Sequence, residues 1–153
     1  MISRGGMVWG IAEASYIYAI LNGSALYVGE TGDLPPKRWG QHLAGGGTFS
    51  EKAIAAGICL TGPIETLFIA IRCHDIDDEN AQYRKLARRA VEEEVHRQFL
   101  LDSRPFGETF RLLSLPPSPP IRYKWSFDTV AVAKEIYAHV ITEYAKWTKM
   151  PAR

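Results

Sequence analysis

A chain of 153 residues is long enough for one domain with a sizeable core and too short to expect two. Its 46% hydrophobic and 23% charged residues are the make-up of a soluble globular protein. A formal net charge of +1 counts against a simple, strongly basic nucleic-acid binder.

The charge is nevertheless uneven. Arg72, Arg84, Lys85, Arg88, Arg89 and Arg97 gather mid-chain beside an acidic cluster of Asp75, Asp77, Asp78 and Glu79. Cys59 and Cys73 offer no disulfide framework and point to a reducing compartment. The Cys73-His74 pair reads as a core cysteine beside a loop histidine. No apolar run approaches the roughly 20 residues of a membrane span. The first residues lack the charged and apolar regions of a secretory leader, so a cytoplasmic location without membrane contact is expected.

In chain order, residues 1–14 read as a glycine-containing lead-in arm, with Trp9 placed to tuck onto the core. Asn22-Gly23 between two alternating runs is a strong hairpin signal, since a type I′ turn needs positive φ twice. That turn predicts Leu21 facing Ser24, Tyr18 opposite Tyr27 and Tyr16 opposite Gly29. Tyr16, Tyr18 and Tyr27 then share one face, while Ile17, Ala19, Leu21, Leu26 and Val28 form the core face. A short helix over 35–44 follows, with Asp33 as N-cap, Pro35 in its first turn and Arg38 and His42 on one side.

Gly45-Gly46-Gly47 lacks the Lys-Ser/Thr of a phosphate-binding P-loop and reads as a mobile loop over a substrate. A brief helix capped by Ser50 should end at Gly57. Residues 64–72 read as a third, central strand. Asp77 to Asn80 should open the longest helix, reaching about Leu101, with Tyr83, Ala87, Val91, Val95 and Phe99 as its core stripe. Residues 102–127 read as a stiff proline-rich connection with one possible strand near 109–113. Asp128 should cap a final helix over 128–153, packed on the domain or forming a dimer seam.

Tyr16-Ile17-Tyr18, Tyr27-Val28-Gly29 and the following Arg38 and His42 resemble, in order and separation, the signature of the GIY-YIG nuclease family. The resemblance covers residues 15–101. Tyr16 replaces the first glycine of the pattern, and the downstream Asn of the family has no counterpart in Arg104-Pro105-Phe106-Gly107-Glu108. Among Glu92, Glu93 and Glu94, Glu92 has the following apolar residues the family helix shows, Val95 and Phe99; Glu94 is its rival.

The resemblance implies an α+β fold: a small three-stranded, mainly antiparallel sheet flanked by helices, plus the C-terminal helix. It implies a metal-dependent endonuclease acting on DNA. Glu92 would hold one Mg²⁺ or Mn²⁺, Arg38 would clamp the phosphate and Tyr27 would assist. Tyr18 or His42 would take the proton from water, and the sequence leaves both open. Lys37, Arg84 and Arg88 are candidate DNA contacts, and specificity would come from the loops, a second subunit or a partner protein. The alternative is a catalytically silent version of the fold that binds nucleic acid or protein. A Ser/His/Asp or zinc-based small-molecule hydrolase lacks its spacings.

Overall fold

The hairpin of β1 (Tyr16–Asn22) and β2 (Ala25–Thr31) forms the middle of the sheet. The structure, a computed structural model, describes residues 13–44, 46–60, 65–118 and 122–149. Most of the expected N-terminal arm, including Trp9, lies outside these residues, as do Gly45 and Ile64.

The hairpin register departs from expectation by one step. Asn22 pairs with Ala25, so Gly23 and Ser24 are the turn, and Tyr18 lies opposite Gly29 while Tyr27 lies opposite Ile20. Gly23 alone has positive φ, +54°, the demand of a turn with glycine at its first central position rather than of type I′. Moving the turn one residue along shifts both strands together. The two faces are therefore preserved, and Tyr16, Tyr18 and Tyr27 still share a side.

The sheet is four-stranded and mixed, in the order β3-β1-β2-β4, rather than three-stranded. β3 (Leu67–Arg72) runs antiparallel to β1 and sits at an edge, not in the centre. The apolar run that suggested a central strand is explained by two covered faces. The two-residue β4 (Arg111–Leu112) adds in parallel to β2.

One face of the sheet packs Ile17, Ala19, Leu21, Leu26, Val28 and Ile69 against two long helices. These are α4 (Arg84–Leu101) and α5 (Thr129–Thr148), with Ala87, Val91, Val95, Phe99, Ala133, Ile136 and Val140 buried between them. Asp128 caps α5 as expected, its carboxylate accepting from the Val130 and Ala131 amides. Tyr137 donates to the Asp102 carbonyl at 2.6 Å and fastens α5 to the end of α4.

The acidic run does not open the long helix. A short helix α3 (His74–Asp77) intervenes, and α4 starts only after Tyr83. Asp77 is diverted to other work, accepting from the Ser15 amide and from Arg72 Nε.

The tyrosine face is covered by α1 (Pro35–Leu43) and α2 (Thr48–Ala55). Neither uses the cap expected of it. Leu34 precedes α1 without a side-chain cap while Asp33 pairs with Lys37, and Gly47, not Ser50, precedes α2. A side chain at Gly47 would overlap the carbonyls of Gln41 and His42, which accounts for glycine there. Trp39 meets Phe68, Tyr27 meets Phe49, and Tyr18, Ile20, Ala25 and Phe49 are buried together.

The Tyr18 phenol lies directly across Gly29, where any Cβ would overlap its Cζ and Oη atoms. Gly29→Ala should therefore displace the ring and cost about 1–3 kcal/mol, the usual penalty of overpacking. Urea denaturation checks this; an unchanged midpoint would show that the ring is free to move aside.

Candidate active site

Tyr18 and His42 are brought together from β1 and α1. Tyr18 Oη and His42 Nε2 are 2.7 Å apart, and the two residues are only 2% and 3% exposed. The Tyr27 ring, half-buried, lies 4.6 Å from His42 and 6.4 Å from Tyr18, nearly parallel to the latter at 15°. One side of the hairpin thus carries all three rings.

Burial controls the electrostatics here. It raises the Tyr18 pKa well above its ordinary value, helped by Tyr27 and Glu92 and opposed by the adjacent Arg38. Arg38 pulls the phenol down, but desolvation outweighs it. Tyr27 is raised for the same first reason and again by Glu92. His42 is pushed down to about 4 by burial, then by Arg38 and Lys52. At neutral pH the pair is a neutral phenol and a neutral imidazole.

Arg38 is half-buried, donates through Nη1 to Gln41 at 2.7 Å and leaves its buried Nε without a partner. His42 Nδ1 is likewise buried and unpartnered.

Glu92 approaches from α4. Its carboxyl is near enough to both phenols to raise them, which separates it from its two neighbours. Glu93 and Glu94 are both spent on Arg97, at 2.8 and 2.9 Å. Glu92 forms no ion pair with a described residue, and its pKa is pushed up to about 8 by burial and then by Glu30, against the pull of Arg89 and Lys52. The half-buried position replaces the exposed one expected from the sequence.

Each of the three candidate DNA contacts has a partner in the free protein. Lys37 pairs with Asp33 on the exposed side of α1, Arg84 donates to the Glu79 carbonyl, and Arg88 is held by Glu30 at 2.5 Å against Gly32.

Among the described residues no group of three or more His, Cys, Asp or Glu side chains is arranged to hold a metal. A divalent ion at this site would therefore rest on Glu92 alone, with Glu30 the nearest second carboxylate. The chemistry of the donor fits: a half-buried carboxyl kept from ionising by its surroundings gains most from a cation, and Mg²⁺ accepts one or two carboxylates and keeps its waters.

Three residues escaped the sequence reading, Lys52, His96 and Ser114. Lys52 of α2 stands over the Tyr27 ring at 5.4 Å. His96, fully buried one turn beyond Glu92, approaches the Glu92 carbonyl through Nδ1 at 2.7 Å and Ser114 Oγ through Nε2 at 2.8 Å. A carbonyl only accepts, so Nδ1 carries the proton and the Ser114 hydroxyl donates to Nε2. Ser114 Oγ in turn accepts from the Val28 amide at 2.8 Å, between Tyr27 and Gly29. This clamp fastens the tyrosine strand to the glutamate helix. Nothing in the spacing of Glu92, His96 and Ser114 signals it beyond a helical i, i+4 relation.

Ser114→Ala leaves the Val28 amide and the His96 nitrogen unpaired, so about 1–3 kcal/mol of stability should be lost. Equilibrium unfolding measures it, and a loss indistinguishable from zero would refute the clamp.

The Glu92 shift gives a second test. A carboxyl raised from 4.5 to about 8 stays protonated in the folded state while the unfolded chain has already ionised. Its stabilising contribution is complete below 4.5 and is lost as pH rises through 8. Glu92→Gln, which never ionises, should gain stability over the wild type progressively from pH 5 to 8. Melting curves across that range check the sign; a constant difference would place the Glu92 pKa near its ordinary value.

Compared with protein-family models, curated proteins and solved structures, the chain has no match.

Proposed function

We propose that the chain is a metal-dependent endonuclease of the GIY-YIG kind that hydrolyses DNA phosphodiester bonds. The observation that carries the reading is the buried Tyr18–His42 hydrogen bond, with Tyr27 and Arg38 beside it and the Glu92 carboxyl of α4 near enough to raise both phenols. A phosphodiesterase needs an acceptor for the proton of water, a cation at the phosphate and a carboxylate for a divalent ion. The Tyr18–His42 pair, Arg38 and Glu92 would supply these three.

The raised phenol and the depressed imidazole favour a relay over a phenolate. Tyr18 accepts a proton from the attacking water as its own passes to His42 Nε2, so the phenol stays neutral throughout. His42 is depressed partly by Arg38 and Lys52. A phosphate bound to those cations offsets them and moves the imidazole toward the basicity the relay requires. Arg38 pairs with a non-bridging phosphate oxygen through its planar fork. Glu92 would hold Mg²⁺ or Mn²⁺, which when bound supplies Lewis-acid stabilisation of the phosphate oxygens.

Glu92→Ala should abolish nicking of supercoiled plasmid in Mg²⁺ while preserving the fold, and chelator should stop the wild type. Glu94→Ala should keep activity, because Glu94 is taken up by Arg97 and, of the two carboxyls, it is Glu92 that acts on the phenols. Mg²⁺ should also raise the melting temperature of the wild type and leave that of Glu92→Ala unchanged. Full cleavage by Glu92→Ala would overturn the assignment.

The second reading is a catalytically silent nucleic-acid or protein-binding module, favoured by the enclosure of Tyr18 and His42. No nicking under any divalent ion, with DNA binding retained, would select it.

A further inference from the structure

Lys52 lies between two fully buried residues of α2, Phe49 three positions before it and Ala53 next to it. Helical spacing puts Phe49, Lys52 and Ala53 on one side, facing the tyrosines. The ammonium stands 5.4 Å from the centre of the Tyr27 ring, which itself packs on His42 and Phe49. Its charge is felt at Glu92, His42 and His96, each held lower by it.

Arg89, on the helix of Glu92, lowers that carboxyl without an ion pair among the described residues, and the other cations around the site differ in their partners. Lys37, Arg88 and Arg97 are neutralised by Asp33, Glu30 and the Glu93–Glu94 pair. Lys52 and Arg38 make no ion pair with any described residue, and Arg38 donates to neutral groups, the Gln41 amide and the Tyr18 phenol. The Glu92 carboxyl, which acts on both phenols, pairs with neither. Lys52 at the Tyr27 ring and Arg38 at Tyr18, both half-buried and without an ion pair among the described residues, offer positive charge to an anion.

We propose that Lys52 is a second phosphate-binding residue, holding a backbone phosphate of the substrate strand beside the one held by Arg38. The inference rests on the nuclease reading and adds the position of the strand, which runs across Tyr27 from α1 to α2. Tyr27 holds the lysine extended over its face. A phosphate draws the ammonium off the ring without rebuilding the helix. A point-charge ammonium accommodates any phosphate orientation, whereas the Arg38 fork fixes one.

The test measures binding of a short fluorescent DNA duplex in chelator, as a function of salt, for the wild type and for Lys52→Gln, Lys52→Met and Lys52→Arg. Each phosphate contact contributes about 0.9 to the slope of log affinity against log salt. Both neutral variants should lose about 0.9 of slope, and Lys52→Arg should keep it. Circular dichroism identifies any variant that fails to fold, and the second neutral variant then carries the comparison. Unchanged slopes in folded neutral variants overturn this inference and leave the nuclease reading standing. A wild type that binds no duplex overturns both.

Discussion

The hydrogen bond between Tyr18 and His42 ties the sheet to the helix that covers it, and the site is arranged around that contact. It forms only because Gly29 leaves the opposite position on β2 empty, so the phenol can lie across the strand. It is kept only because Gly47 lets the chain turn tightly against the end of α1, delivering α2 and its Phe49 onto the same face. Two glycines and one hairpin turn thus decide where three aromatic rings meet. On the other side of the hairpin, α4 is held to β2 by core packing and by the His96–Ser114 clamp. Strand and helix therefore present their functional groups as one rigid unit.

Burial leaves the free site in its uncharged forms. The phenols are raised, the imidazole lowered and the glutamate raised, while Arg38 and Lys52 have no ion-pair partner among the described residues. Such a site gains from binding a cation at the carboxyl and an anion at the two basic residues together. Each ion removes part of the unfavourable field that the other would meet alone. On the proposed function, metal and phosphate binding would be coupled through this arrangement of charges.

Much of this was legible in the sequence where periodicity speaks. The two-residue alternation put Tyr18 and Tyr27 on one face, and it survived a wrong turn because moving the turn one residue preserves parity. The 3.6-residue stripes of α4 and α5 named Ala87, Val91, Val95, Phe99, Ala133, Ile136 and Val140. What failed depended on competition between partners. Asp77 had a better use at Arg72 and Ser15 than as a helix-starting charge, and Asp33 was taken by Lys37. Lys52 and Ser114 carry no pattern at all; each gains its place from a fold that brings residues 25 to 86 positions apart together. The sign of the Tyr18 shift was equally hidden, since the cation was visible in the sequence and the depth of burial was not.

The most direct measurement is a crystal structure of the Tyr18→Phe protein with a DNA duplex and Mg²⁺. The account predicts a phosphate within hydrogen-bonding distance of Arg38, the ion on the Glu92 carboxylate, and the position vacated by the phenolic oxygen facing the scissile phosphorus. DNA seated on another face, with Arg38, His42 and Glu92 as they stand in the free protein, would contradict it.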